Sequence, residues 1–280
     1  MFAQSLFRAS LARLVAGANV VFHCAAYISL MPGEEAQLEA VNVVGTRHLL
    51  EASKAAGVTR FVYAGSIEAF GSDPSWDVLD ESRAYDPQKA LIPYGASKAR
   101  ASLEVLAYAQ NGLESVIVCP TSIIGPNDFQ QSRMGQMILQ FAQKRLPAYP
   151  GSGGFDFVDV GDAVDAMIWA SHSGMSGESY IVSGQYLSIP KLMTLLEDIT
   201  GVRKPWLRFP LPCLQFFAAI AERFYQITKR KGILTRDSMR VLDLKVRIDG
   251  SKLRREASTQ ARPIADSIRD TLTFFGVSCR

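Results

Sequence analysis

Arg60-Phe61-Val62-Tyr63-Ala64-Gly65-Ser66 is the stretch on which the fold turns. Its first five residues show no alternation of apolar and polar positions. A strand of this kind is covered on both faces, as in a parallel sheet. Upstream, Val20-Val21-Phe22-His23 reads as a second short buried strand, preceded by a helix end at Ser10 to Ala16 that Gly17 closes. Between the two strands, Glu34 to Ala56 has helical spacing and stops at Gly57. Downstream come a proline-punctuated loop from Ser72 to Pro93, a helix from Tyr94 to Asn111, and a strand Ser115-Val116-Ile117-Val118-Cys119. Strands separated by helices, joined by right-handed crossovers, give an α/β fold with a doubly wound parallel sheet.

Beyond Gly125-Pro126 the texture changes. Gln130 to Arg145 and Asp162 to His172 read as helices, Pro147 to Gly154 as a loop, and Ser179 to Ser183 as a strand able to rejoin the sheet. Ser188 is placed to cap a helix that runs to Thr200, with Gly201 past its end. From Arg203 on there is no long strand run. The expected division is a sheet domain over residues 1–125 with 155–185 rejoining it, and a smaller, mostly helical lobe over 126–154 and 186–280.

The 280 residues are 48% hydrophobic, enough for a sizeable core, and carry a net charge of +3. That charge is too weak and too evenly spread for a nucleic-acid partner. The local basic run Lys229-Arg230-Lys231 reads as a solvated helix end. Four cysteines form no CxxC pair and no histidine stands at ligand spacing from another, so no metal site is expected. Reduced buried thiols at Cys24 and Cys119 suit a cytoplasmic setting. Arg8 and Arg13 interrupt any secretory signal. The apolar stretch Pro210 to Ile227 contains two prolines, Glu222 and Arg223, and does not read as a transmembrane segment. It reads as an amphipathic helix packed on the core, with a membrane surface or a dimer contact as the other readings.

Three Tyr-x-x-x-Lys motifs occur. Tyr85 to Lys89 encloses Pro87, which spoils a shared helical face. Tyr225 to Lys229 has no strand leading into it. Only Tyr94 and Lys98 open a helix between two parallel strands, and at i and i+4 they share a face. An ammonium beside a phenol favours the phenolate, which suits proton transfer to or from a substrate oxygen. The bland reading is a helix-start tyrosine with an exposed lysine. Ser66 follows a strand at the sheet edge where ligands of open α/β sheets bind, so its hydroxyl could support a reacting carbonyl; a turn serine is the alternative.

Several motifs stand in one order: His23-Cys24-Ala25-Ala26, Asn42-Val43-Val44-Gly45-Thr46, Val62 to Ser66 ending at Phe70-Gly71, the Tyr94 motif, and Cys119-Pro120-Thr121-Ser122-Ile123-Ile124-Gly125-Pro126. This order resembles the extended short-chain dehydrogenase/reductases of the NAD-dependent epimerase/dehydratase group. Within it, the chain is similar to the dihydroflavonol-reductase-like and 3β-hydroxysteroid-dehydrogenase-like branch. The resemblance implies a Rossmann-like sheet lacking its first βαβ portion, because no glycine-rich phosphate loop precedes Val20. It implies a catalytic triad of Ser66, Tyr94 and Lys98. Cys24, Ala25 and Ala26 would lie along an NAD or NADP cofactor. Asn42 would face the site, and Pro120, Thr121, Ser122 and Ile123 would line the nicotinamide pocket. Without a glycine loop the cofactor's pyrophosphate lacks its helix N-terminus, which implies weak affinity. Members often carry His-Val-Asp-Asp-Val where this chain has Asp159-Val160-Gly161-Asp162-Ala163; the retained Asp162 is expected to cap its helix. The implied function is an NAD(P)-dependent oxidoreductase acting on a small-molecule secondary alcohol or ketone. The alternatives are a nucleotide-sugar epimerase or dehydratase with tightly bound NAD, and a truncated, inactive binding protein. A homodimer through a helix bundle suits this family.

Overall fold

The computed structural model describes residues 2–73, 75–228, 235–244 and 246–280. Pro74, the run Lys229-Arg230-Lys231 and the lysine of the Tyr225 motif lie outside the described residues.

The chain divides into two units, the first comprising Met1–Pro120, Val164–Val182 and Asp249–Ser258. At its centre four parallel strands stand in the order Val20–His23, Arg60–Ala64, Ser115–Pro120, Ser179–Val182. Their register pairs Phe22 with Val62, Val62 with Val116, and Val118 with Tyr180. Phe61, Val62, Val116 and Ile117 have no exposed surface, which is why these strands carry continuous apolar runs. Helices Phe2–Val15, Gly45–Ala55 and Pro93–Gln110 flank the sheet. Buried Arg60 opens the second strand, and its guanidinium donates to the carbonyls of Ala170 and Gly174. Those are carbonyls that the end of helix Val160–His172 leaves unpaired.

The helix expected over Glu34 to Ala56 is interrupted. Glu35–Leu38 and Gly45–Ala55 are α-helical, but Glu39–Val44 between them is a π-helix. A widened turn shifts the side chains beyond it around the axis, and residue spacing does not reveal it. Such turns concentrate at functional sites, and this one contains Asn42.

The second unit comprises Thr121–Ala163, Ser183–Ile248 and Thr259–Arg280. Strand Ser122–Ile124 pairs in parallel with Gly154–Asp159, which pairs antiparallel with Gln185–Ser188. Phe157, Leu192, Leu196, Ile268 and Leu272 form the centre of its core. Ser188 Oγ accepts the Lys191 backbone N–H, and Gly201 takes φ +68° to end helix Ile189–Thr200. These differences from the expected division have physical causes. Pro120 has no N–H to extend the main ladder, so the strand after it joins a separate three-stranded sheet. Residues 154–159 follow it there rather than rejoining the parallel sheet, of which only Ser179–Val182 is the late strand. Residues 249–258 return to the first unit, where Lys252 lies 4.3 Å from the Tyr180 ring and ion-pairs with Glu178 at 2.7 Å. Asp162 does not cap its helix. Asp159 Oδ1 takes that place, accepting the Gly161 N–H at 2.7 Å, and Asp162 instead accepts the Arg262 N–H. No described helix is long and apolar enough to cross a membrane.

Candidate active site

Ser66 ends the turn after strand Arg60–Ala64. Its Oγ accepts the Glu68 N–H at 3.3 Å and opens the short helix Ile67–Phe70. The helix carrying Tyr94 starts at Pro93, whose missing N–H is harmless at that position. Gly95 lets its first turn press onto the Ser66 turn: a Cβ there would stand 2.6 Å from the Glu68 carbonyl oxygen. This close approach sets the Tyr94 turn against the Ser66 turn, and the Ser66 hydroxyl favours the ionised form of the phenol. One helical turn on, Lys98 is only 2% exposed. Its Nζ donates to the Ala64 carbonyl at 2.6 Å and lies 4.3 Å from the centre of the Tyr63 ring.

The electrostatics differ from the simple expectation. Burial pushes the Tyr94 phenol up to about 12, against the influence of the Ser66 hydroxyl, which favours the phenolate. The charge of Glu68 adds to the rise, while burial raises the Glu68 carboxyl itself to about 7. Lys98 is not among the groups that shift Tyr94. Burial instead lowers the Lys98 ammonium to about 8. Protein groups alone therefore keep the phenol protonated at neutral pH.

Asn42 sits in the π-turn, 1% exposed. Its Oδ1 accepts the Tyr27 N–H at 2.7 Å, and its Nδ2 donates to the Tyr27 carbonyl and to Ser97 Oγ, each at 2.9 Å. Ser97 in turn donates to the Tyr94 carbonyl at 2.7 Å. Both amide hydrogens are thus taken by protein groups. Asn42 ties the backbone after strand Val20–His23 to the Tyr94 helix, and it has no contact with Lys98. Asn42→Ala removes the side-chain partner of three polar groups, the Tyr27 N–H, the Tyr27 carbonyl and Ser97 Oγ. A loss of about 2–4 kcal/mol in thermal or urea unfolding is expected; a loss under about 1 kcal/mol would show the clamp to be dispensable.

Spacing alone did not single out His23, Thr46 or Ser97. Thr46 Oγ1 donates its single proton to the Asn42 carbonyl at 2.6 Å, so His23 Nε2, 2.8 Å from that hydroxyl, must be the donor. Burial first, then the Lys98 charge, lowers His23 from 6.5 to about 4. Between those values the unfolded chain holds a proton that the folded chain refuses, so stability falls as pH drops from 6.5 to 4. About 3 kcal/mol is at stake. His23→Gln, which keeps a donor for Thr46, is expected to flatten unfolding midpoints across this window. A slope identical to that of the parent would rule the effect out.

The remaining expected residues divide between the units. Cys24, Ala25 and Ala26 are exposed where strand Val20–His23 ends, so Cys24 is not the buried thiol expected of it, whereas Cys119 is; Pro120 ends its own strand in the same unit. Thr121, Ser122 and Ile123 belong to the second unit. There Ile123 lines a cavity of about 250 Å³ with Gly125, Pro126 and Asn127. Tyr85 and Lys89 do not form a pair. Tyr85 Oη bonds Ser179 Oγ at 2.8 Å inside the core, while Lys89 meets Asp73 at the surface.

A tyrosine and a buried lysine one turn apart, at the carboxyl edge of a parallel sheet, mark a nicotinamide-dependent enzyme of the short-chain type. Residues 4–183 match the model of the NAD dependent epimerase/dehydratase family. The chain belongs to that family, whose members here include NAD(P)-dependent reductases, dehydrogenases and epimerases. It is 33% identical over 272 residues to sterol demethylase protein B of Methylococcus capsulatus, across 96% of this chain and 82% of that protein. To a 4-hydroxy-2-methyl-3-oxo-4-farnesyl-3,4-dihydroquinoline-1-oxide ketoreductase of Stigmatella aurantiaca it is 26% identical over 259 residues, 91% of this chain and 76% of that one. Among solved structures, gox2253 superposes with a TM-score of 0.81 at 28% identity, over 96% of this chain and 82% of that chain.

Proposed function

We propose that the chain interconverts a lipophilic secondary alcohol and its ketone, with Tyr94 as the general acid and base. The observation that carries this is the close packing of the Tyr94 turn on the Ser66 turn, one helical turn from buried Lys98. When bound, a nicotinamide dinucleotide supplies or accepts the hydride. The residues present fit the nicotinamide half of that cofactor. Lys98 Nζ has three donors and one protein acceptor, which leaves N–H groups for ribose hydroxyls. Cys24 to Ala26 offer exposed backbone at a strand end.

Tyr94, protonated at neutral pH, gives its proton to the substrate oxygen in the reducing direction and recovers it in the other. Ser66 supports the charge developing on that oxygen. Asn42 and Ser97 act through the backbone, holding the Tyr94 turn against the Tyr27 segment. The lipophilic substrate class rests on two relatives, one named for a sterol and one for a farnesyl-bearing ketone. A cytoplasmic setting fits four free cysteines. A helix-bundle homodimer fits exposed Leu103 on the Tyr94 helix and Val41 on the π-turn.

The test is turnover of NADH or NADPH with ketone substrates. Net cofactor oxidation is expected, and Ser66→Ala is expected to lower kcat/KM about 10- to 100-fold. Substrate conversion with no net change in cofactor would favour an epimerase. Unaltered kcat/KM in Ser66→Ala would remove its role.

A further inference from the structure

Helix Leu211–Thr228 of the second unit is amphipathic the wrong way round for a surface helix. Leu211 and Ala218 face the core and are 6% and 0% exposed. On the opposite side Phe216, Phe217, Ile220 and Phe224 are 66%, 50%, 55% and 53% exposed. At 3.6 residues per turn these four share an arc of about 100°. Three phenylalanines and an isoleucine in one open arc form a patch of the kind that marks an interaction surface. Just before the helix, Trp206 is 89% exposed.

The charge around this face says what covers it. Residues 203–240 carry nine of the chain's 30 lysines and arginines but only Glu222 and Asp237 of its 27 acidic residues. The rest of the chain is therefore net negative, and the positive charge is concentrated in the stretch of sequence that contains the apolar arc, although Lys204 pairs with Glu197 and Arg236 with Glu222. Arg223 is exposed beside the arc, and Lys229-Arg230-Lys231 follows the helix in the sequence. Two copies of the chain meeting through this face would bring two strongly basic segments together, which like-charge repulsion opposes. A nucleic acid would use the cations but has no use for the phenylalanine arc. An anionic lipid surface uses both, with rings in the acyl boundary and cations among the headgroups. From this we infer that helix Leu211–Thr228 lies flat on membranes rich in acidic lipid, holding the second unit at the bilayer surface. This holds whether or not the catalytic reading does.

The test is co-sedimentation of the 280-residue chain with vesicles of phosphatidylcholine, alone or mixed with phosphatidylglycerol. Binding to the mixed vesicles is expected to be at least about tenfold tighter and to weaken with salt. Phe216→Ser with Phe224→Ser, and separately Lys229→Glu with Arg230→Glu, are each expected to weaken it about tenfold or more. The two phenylalanines are already exposed, so thermal melting of that variant should match the parent and keep the comparison valid. No binding to either vesicle overturns the inference, as does equal binding to both or binding indifferent to the substitutions. A concentration-dependent dimer that the phenylalanine variant abolishes, without vesicle binding, would assign the face to a second copy instead.

Discussion

Tyr94→Phe is expected to lower kcat about 10³-fold while leaving cofactor binding within about twofold of the parent. The substitution removes one oxygen and keeps the ring, so the packing of the Pro93 turn against Ile67–Phe70 survives. What is lost is the hydroxyl that stands beside the Ser66 turn and is aligned by helix spacing with Lys98. Because burial holds the phenol near 12, the parent is an intact acid across the neutral range. Ionisation of Tyr94 therefore gives no change in reducing activity between pH 7 and 9, and a fall in that interval is expected from Lys98, whose ammonium is lowered to about 8. Steady-state rates and a cofactor titration on the same preparation check both parts. A variant that retains more than about a tenth of the parent rate would remove Tyr94 as the proton donor.

Lys98→Met is expected to abolish detectable turnover and yet make the cofactor-free protein more stable. An ammonium with 2% exposure has given up its hydration for one carbonyl and one aromatic face. Its folded value is about 8 against 10.5 unfolded. Between these the unfolded chain binds the extra proton, so for this group stability rises as pH climbs from 8 toward 10.5. Below pH 8 the full penalty, about 3 kcal/mol, is present; the lost contacts offset part of it, leaving a gain of about 1–3 kcal/mol for methionine. The interval from 8 to 10 is the one to measure. Above 10, unfolded tyrosines ionise while buried Tyr94 does not, and that contribution is lost as pH rises. Unfolding at pH 7.5 and 9.5 should show a rise with pH in the parent and a smaller one in the variant. A methionine variant less stable than the parent at pH 7.5 would show that Lys98 is held as a structural cation rather than kept at a cost for function.

The sheet was readable from the chain because burial on both faces forces continuous apolar runs. Arg60–Ala64 and Ser115 onward needed nothing but their own residues, whereas Val20–His23, equally apolar, leaves Phe22 46% exposed and is not the buried strand expected. The Tyr94–Lys98 pair was readable because helix spacing is local and Pro93 marks where the helix starts. The same locality explains the misses. The π-turn at Glu39–Val44 holds Asn42 where it reaches both Tyr27 and Ser97, the latter 55 positions further along the chain. The neutral His23 follows from a proton count through Thr46 and Asn42. Asp159 holds the capping place expected of Asp162 because the helix starts at Val160, and Arg262, a hundred positions away, contacts both carboxylates. The amino-acid order by itself therefore determined the strands, the crossover helices and the spacing of the reactive pair, which depend on neighbours within a few residues. Only the tertiary structure decided the protonation of Tyr94, Lys98 and His23, the clamp at Asn42 and the outward turn of the Phe216 face. Hydration, hydrogen-bond partners and exposure are properties of the folded surroundings, set by groups that the sequence keeps far apart.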